Sequence, residues 1–148
     1  GGHIVIAHLD WIAIPGNVAA LTEQLIARFN PAWNMGGGDG MYPQWLRHLG
    51  DAGFAELETF SFDVNIAYSH EDWRGRIRAS AGVAASLPLE TVTAFDAEHA
   101  SALAATFPAE PLGILHLNGD ARLGLCKPRG RAYDGATAAH LWVWRDAA

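Results

Sequence analysis

Polar and apolar residues alternate from Thr59 to Tyr68, and this is the clearest strand pattern in the chain. The apolar positions on one face are Phe60, Phe62, Val64, Ile66 and Tyr68. Because successive side chains point to opposite faces of a strand, the pattern predicts a strand with one face in a core. Ser69 follows as a predicted helix N-cap, with Asp72 three residues later, close to the capping-box pattern.

The helix that begins after Ser69 has a local concentration of positive charge, from Arg74, Arg76 and Arg78. Two interpretations of this helix stay open. It is either a solvated basic helix that packs on one side through Trp73, or part of a site for an anion or a substrate.

Near the start of the chain, the run His3–Leu9 is almost wholly apolar and predicts a strand buried on both faces, as in a parallel sheet. Alternation places His8 and Asp10 on one face of this strand, and Trp11 follows at its carboxyl end. In open α/β sheets ligands bind at that edge. These three residues are therefore candidates for a site, while a structural role for the His-x-Asp pair stays an alternative.

Two further helices are predicted before the central strand. Asn17 is a plausible N-cap for a helix whose apolar face ends near Asn30-Pro31. A second helix runs from about Pro43 to Ala52, since proline is tolerated in a first helical turn, and Gly53 is well placed to end it. Between them, Gly36–Gly40 is glycine-rich, and we interpret it as a hinge or lid.

The best helical stripe lies after the central stretch, at Val92, Phe95, His99, Leu103 and Phe107. Ser86 is the predicted cap of this helix. His99 lies on the stripe, and we interpret it as a partly buried core histidine rather than a ligand. In the last apolar region, Asn118-Gly119 predicts a two-residue hairpin turn.

Four segments of the chain together resemble a group of bacterial class I S-adenosylmethionine-dependent methyltransferases. The segments are GGHIVIAHLDW, NPAW, YPQWL and SHEDWRGRIRAS. The resemblance covers residues 1–128 and implies an α/β fold, namely the C-terminal half of a Rossmann-like methyltransferase sheet with flanking helices. In that group one continuous final strand is typical of the region that here holds Asn118-Gly119. Residues 129–148 are a C-terminal extension of unknown role.

The resemblance implies methyl transfer to a small-molecule acceptor, with S-adenosyl-L-methionine as the methyl donor. His8 would be the catalytic base and Asp10 would orient it. The expected substrate-binding residues are Trp11, Tyr42, Trp45, His70, Trp73 and Arg74. Methyl transfer often needs only positioning of its reactants and at most one base, so a sparse site is compatible with this expectation.

The methyl-donor site of that group is built largely by the first half of its fold, and this chain lacks two of its sequence features. It has no glycine-rich loop after a strand and no acidic residue ending a second strand. A nucleotide loop needs strand, turn and helix in that order, and no convincing strand precedes Gly36–Gly40. We therefore expect a segment of a longer enzyme, completed by its missing N-terminal half or by a homodimer.

Composition narrows the possible functions. The chain has 148 residues, a length that fits one domain, and a net charge of −6, which argues against a general nucleic-acid binder. A single cysteine suits a reducing, cytoplasmic location, and no apolar run is long enough to predict a membrane span. Histidine spacings typical of metal sites are missing. The alternative to an enzyme is a non-catalytic small-molecule-binding module or a split subunit.

Overall fold

The computed structural model describes residues 4–123. In chain order the elements are β1 (Val5–Trp11), α1 (Val18–Phe29), α2 (Pro43–Asp51), β2 (Leu57–Tyr68), α3 (His70–Arg78), α4 (Leu89–Thr106) and β3 (Leu112–Leu123). The strands form a three-stranded antiparallel sheet in the order β1-β3-β2. The mixed α/β class is therefore confirmed.

The predicted central strand is confirmed as β2, with two more residues at its start. Val64, Ile66 and Tyr68 are half-buried and alternate with exposed neighbours, as period two requires. Phe60 and Phe62 are on the same face, with their rings stacked 6.3 Å apart, but each is 46% exposed. Only the carboxyl-terminal half of the strand thus contributes to a core.

The cap at Ser69 is confirmed. The Ser69 hydroxyl oxygen accepts a hydrogen bond of 3.0 Å from the backbone N–H of Asp72, and its own hydrogen is donated to the Asp72 carboxylate at 2.6 Å. This satisfies one of the free amide groups in the first turn of α3. The two acidic residues of that turn, Glu71 and Asp72, also match the positive end of the helix dipole.

The prediction that the first strand is buried on both faces is wrong. Along β1 exposed and half-buried residues alternate, and Val5 and Leu9 are each 37% exposed. The physical reason is that the sheet is antiparallel and one of its faces is open to solvent, so only alternate residues of β1 are covered. The predicted start of the strand, His3, lies outside the described residues.

Helix α1 begins as predicted. The Asn17 side chain accepts a hydrogen bond from the Ala20 N–H at 2.8 Å and donates one to the Ile12 carbonyl at 2.8 Å. Asn17 therefore caps the helix and also anchors the loop that leads into it. At the other end, α1 stops at Phe29, and the Asn30 amide donates to the Gly82 carbonyl at 3.0 Å.

The predicted end of α2 at Gly53 is confirmed. Gly53 has a φ of +89°, a left-handed conformation that glycine adopts without a Cβ penalty, and its N–H donates to the Gly50 carbonyl at 2.9 Å.

The buried stripe of α4 is also confirmed, but its predicted cap is wrong. Phe95, His99 and Leu103 are fully buried. The N-cap residue is Pro88, which has no side-chain capping bond, and the Ser86 hydroxyl instead donates to the Ala81 carbonyl. Ser86 is used by the preceding turn, because its hydroxyl reaches that carbonyl before the helix begins.

The predicted hairpin at Asn118-Gly119 is wrong, because β3 runs without interruption from Leu112 to Leu123. Asn-Gly favours a tight turn only where the chain gains by reversing. Here the backbone groups of β3 are hydrogen-bonded to strands on both sides, which outweighs a local turn preference. The predicted extension at 129–148 lies outside the described residues.

The chain divides into two compact units. Of the described residues, the first comprises 4–9, 40–62 and 118–123, and the second comprises 10–39 and 63–117. The hydrophobic core belongs to the second unit, where α1, α3 and α4 pack through Ile26, Trp73, Ile77, Phe95 and Leu103. Within the described residues, no helix is both long enough and apolar enough to cross a membrane.

Candidate functional site

In the first unit, three of the predicted site residues form one aromatic group. The ring of His8 meets the rings of Tyr42 and Trp45 edge-on, at centroid distances of 4.9 Å and 5.3 Å. Tyr42 and Trp45 themselves are stacked 4.3 Å apart, at an angle of 9°. We call His8, Tyr42 and Trp45 the aromatic group.

The start of α2 produces the stacked pair of the aromatic group. Tyr42 is the residue before Pro43, which occupies the first turn, and the Trp45 N–H donates to the Tyr42 carbonyl at 2.9 Å. A spacing of three residues at a helix start places two side chains on the same side. All three members of the group are half-buried, so their rings contact each other and remain accessible to a ligand.

In the second unit, the end of β1 is fixed by Trp11. Its indole Nε1 donates to the Glu23 carboxylate at 2.9 Å, and the other oxygen of that carboxylate accepts from the Gly37 N–H at 2.8 Å. Glu23 thus connects β1 with the glycine-rich loop. The loop conformation depends on glycine at position 37, which has a φ of +71°.

A charged and aromatic cluster surrounds the carboxyl end of β1 in the second unit. The guanidinium carbon of Arg76 lies 5.7 Å from the Trp11 ring centroid, a cation–π distance, and the Trp11 ring meets Trp73 edge-on at 5.8 Å. Asp10, the residue before Trp11, is half-buried.

His116 belongs to the same region. It is fully buried on β3, with Tyr68 at 5.9 Å and Trp73 at 6.4 Å between ring centroids. The Ile12 N–H donates to the Leu115 carbonyl at 2.9 Å, which joins the end of β1 to β3 one residue before His116. Burial lowers the pKa of His116, and the positive charge of Arg76 acts in the same direction, while the Ile114 carbonyl and Asp10 oppose it.

Trp73, predicted as part of a substrate wall, lies in the core. Its side chain is fully buried, and its indole Nε1 donates to the Thr22 hydroxyl at 3.0 Å. That hydroxyl also lies 3.1 Å from Nε2 of His99. The geometry gives Trp73 a structural partner, and its role toward a substrate stays a prediction.

Arg74, also predicted to contact substrate, forms ion pairs within the second unit. It reaches Asp96 with Nε at 3.0 Å and Nη2 at 2.5 Å, and Arg78 reaches the same carboxylate at 2.8 Å. Burial raises the pKa of Asp96, but the hydrogen bonds from Arg74 and Arg78 outweigh it and hold that pKa below its ordinary value. Two interpretations of α3 were left open. The ion pairs show that Arg74 is not fully solvated, and they also show that it is already occupied by carboxylates and is not an open anion site.

His70 is the first residue of α3. Its Nε2 donates to the Phe107 carbonyl at 2.9 Å, and its backbone N–H donates to the Glu110 carboxylate at 2.5 Å. His70 therefore ties the start of α3 to the end of α4. Its predicted role in substrate binding stays a prediction, as does the pairing of His8, in the first unit, with Asp10, in the second.

The glycine-rich loop does not provide the cradle that a nucleotide cofactor requires. Such a cradle needs a strand before the loop and a helix directly after it. The element before Gly36 is α1, which ends at Phe29, and the side chain of Trp33 lies against Gly36. The described residues thus do not fit the donor site expected for S-adenosylmethionine.

Sequence reasoning missed two residues that the tertiary structure brings into the region of Trp11, namely Glu23 and His116, and it named Arg76 only as one of the positive charges of α3. Glu23 gave no signal, because a glutamate in the middle of an amphipathic helix is typical of a solvated face. His116 gave a partial signal. It is two residues after Ile114, which is two residues after Leu112, so His116 continues an apolar alternation. A polar residue that continues an apolar alternation is a candidate for a buried polar role.

Among residues 4–123, no three histidine, cysteine, aspartate or glutamate side chains are placed to hold a metal ion. No protein family, curated protein or solved structure was found to match this chain.

Proposed function

We propose that this chain supplies the acceptor-binding part of an S-adenosylmethionine-dependent methyltransferase that acts on a small molecule. The observation that carries the proposal is the aromatic group. His8, Tyr42 and Trp45 come from distant parts of the sequence, were assigned to one acceptor site by resemblance, and are in mutual ring contact.

The aromatic group suits a small organic acceptor. Stacked and edge-on rings offer a rigid apolar surface with a low entropic cost of ordering, since each ring has few rotatable bonds. The imidazole of His8 adds one polar group that can accept a proton. In this proposal Tyr42 and Trp45 hold the acceptor, and His8 removes a proton from its hydroxyl or amine group.

The continuous final strand gives additional support to the resemblance. A strand without a turn at Asn118-Gly119 agrees with the single final strand typical of the methyltransferase group. We propose on this basis that the sheet is part of a Rossmann-like methyltransferase sheet. The remaining strands, and the residues that bind the methyl donor, would then lie outside the described part of the chain.

The proposal treats the remaining predicted site residues in different ways. These residues are Asp10, Trp11, His70, Trp73 and Arg74. Trp11 is half-buried at the end of β1 in the second unit, and its predicted contact with the acceptor stays a prediction. Trp73, His70 and Arg74 support the proposal indirectly, because their contacts hold α3 against α1 and α4. Asp10 also belongs to the second unit, and its predicted role of orienting the base stays a prediction.

The test is a transfer assay with the protein purified from its native cells at its native length. It is incubated with S-adenosylmethionine labelled in the methyl group and with the small-molecule fraction of the same cells. We expect label in one or a few small molecules. Tyr42→Ala should raise KM for that molecule, because it removes half of the stacked pair, while Phe62→Ala, which removes an exposed ring outside the aromatic group, should not.

Two results would count against the proposal. If label enters protein or nucleic acid and no small molecule, the acceptor class is wrong. If the protein binds small molecules at the aromatic group but transfers no label, the chain is a binding module instead of a part of an enzyme.

A further inference from the structure

The amino-terminal half of β2, residues 57–62, lies at one edge of the sheet. The strand order β1-β3-β2 gives β2 one neighbour, and the described residues hold no strand on its other side. The backbone N–H and C=O groups that point away from β3 can therefore pair with a further strand. The whole segment belongs to the first unit, and we call it the open edge.

The open edge lacks the sequence features that usually prevent strands of different molecules from pairing. Monomeric proteins protect such edges with proline, lysine, a bulge or a covering element. The segment LETFSF contains neither proline nor lysine, and its one charged residue is Glu58. All residues from Glu58 to Phe62 are exposed. A segment of this composition is suited to pairing with another strand.

Two phenylalanines add an apolar surface to the open edge. Phe60 and Phe62 lie on the same face of β2, their rings stack at a centroid distance of 6.3 Å, and each residue is 46% exposed. The first unit does not cover them, because Leu49 is its one buried hydrophobic residue in the described part of the chain. Large apolar side chains that are exposed side by side are typical of a surface that contacts another protein.

The sequence of the open edge is self-complementary, which favours a second copy of this chain as the partner. Antiparallel pairing of two copies about Ser61 places Phe60 of each copy opposite Phe62 of the other, on one face. Such cross-strand aromatic pairs stabilise antiparallel sheets. Pairing about Phe60 or about Phe62 would give a single phenylalanine pair, so the register about Ser61 is preferred. It has twofold symmetry, the commonest arrangement of homo-oligomers.

The position of the charged residue permits this register. The chain has a net charge of −6, so two copies associate only where their carboxylates are kept apart. Glu58 is three residues from Ser61, which separates the two Glu58 side chains of a dimer by six residues, roughly 20 Å along the strands. That distance exceeds the Debye length of about 8 Å at physiological ionic strength, and the repulsion is therefore largely screened.

We propose that this protein forms a homodimer in which the open edges of two copies pair in antiparallel orientation about Ser61. The backbone hydrogen bonds join the two sheets into one continuous sheet, and the phenylalanines of both copies form a row on one of its faces. This inference goes beyond the proposed function and does not rest on it, since the open edge and the aromatic group share no residue.

Disulfide formation tests the register in the protein at its native length. In a background without other cysteines, which in this chain requires Cys126→Ser, Ser61→Cys places the two thiols at the twofold axis. Opposite Cα atoms there are about 4.5–5.5 Å apart, within the span of a disulfide. Thr59→Cys is the matched control, because its two thiols would be four residues apart, roughly 13 Å, which exceeds that span.

Under mild oxidation we expect a disulfide-linked dimer from Ser61→Cys and at least about tenfold less of it from Thr59→Cys. Analytical ultracentrifugation tests the dimer without a disulfide. Phe62→Lys puts a charge on the open edge and should raise the dissociation constant of the dimer at least about tenfold. Leu89→Lys makes the corresponding change at a residue of the second unit that is 79% exposed, and it should leave that constant unchanged.

A protein that stays monomeric at every concentration reached would overturn the inference, and so would a dimer that Phe62→Lys does not weaken. Equal disulfide yields from Ser61→Cys and Thr59→Cys would show association without this register, which also overturns it. The disulfide comparison stays decisive if Phe62→Lys does not fold. Neither readout involves methyl transfer, so this inference and the proposed function can each fail without the other.

Discussion

The indole Nε1 of Trp73 donates a hydrogen bond of 3.0 Å to the hydroxyl of Thr22, and both side chains are fully buried in the second unit. Thr22 donates its one hydrogen to the Val18 carbonyl at 2.8 Å. Because that hydrogen is used, Nε2 of His99, 3.1 Å away, must be a donor to the same oxygen. One hydroxyl thus connects α1, α3 and α4.

Thr22→Val keeps the shape of this side chain and removes its oxygen. Two buried donors, on Trp73 and His99, then lose their acceptor, and we expect the free energy of unfolding to fall by about 2–4 kcal/mol. Thr93→Val is the matched control. Thr93 makes the same bond to the carbonyl four residues earlier, at 2.9 Å, but is exposed, so denaturant unfolding should show little change.

The buried imidazole of His99 predicts a pH dependence of stability. Burial lowers the pKa of His99 to about 4 from 6.5. Between these values the unfolded chain binds a proton that the folded chain excludes, so stability falls as pH falls through this window. The slope from this one group is at most about 1.4 kcal/mol per pH unit.

His99→Gln removes the titrating group and keeps an amide that can donate to Thr22. We expect denaturant unfolding of the variant to depend less steeply on pH between 6.5 and about 4 than that of the native chain. Equal slopes for the two proteins would mean that His99 takes up its proton without unfolding. Near neutral pH the two should differ little in pH dependence.

Asp96 holds two arginines of α3 at once, and its removal should destabilise the packing of α3 on α4. In Asp96→Ala the partly buried guanidinium groups of Arg74 and Arg78 lose the more buried of the two carboxylates that they share, and they keep the exposed Glu71. We expect a loss of about 1–3 kcal/mol, because charge-assisted hydrogen bonds are lost and a charge is left partly desolvated.

Glu98→Ala is the control for Asp96. Glu98 pairs with Arg28 at the surface, with side chains 44% and 57% exposed. Surface pairs contribute between about 0 and 1 kcal/mol, so thermal unfolding should separate the two variants clearly. Similar losses for both would show that the network at Asp96 adds nothing beyond a surface pair.

The shape of the glycine-rich loop predicts that the chain of 148 residues does not bind S-adenosylmethionine at micromolar concentration by itself. The element directly before the glycine-rich loop is the helix α1 and not a strand, and the side chain of Glu23 holds the loop at Gly37. Isothermal titration calorimetry measures this directly. A dissociation constant near a micromolar would place the donor site in this chain.

If the proposed function holds, His8→Gln in the protein at its native length should lower turnover at least about tenfold. This threshold lies below the loss of about a hundredfold or more expected for a general base, because some acceptors need no base. Donor affinity should change little, since the described residues provide no donor cradle. His48→Gln makes the same change on an exposed surface of α2 and should leave the rate as it was. An unchanged rate in His8→Gln would leave His8 with a packing role in the aromatic group.

The sequence by itself determined the elements whose causes are local. The caps at Asn17 and Ser69, the helix end at Gly53, and the buried stripe of α4 were predicted, because each follows from hydrogen bonds or side-chain spacing within a few residues. The mixed α/β class was implied by the resemblance, and it is confirmed.

Only the tertiary structure decided what depends on distant partners. Asn118-Gly119 is extended because β3 has a neighbour on each side, and alternate residues of β1 are exposed because one face of the antiparallel sheet is open to solvent. Arg74 pairs with Asp96, and His116 is buried with one unsatisfied nitrogen. These outcomes come from contacts between residues far apart in the chain, and the energy of such contacts exceeds the preference of any short segment.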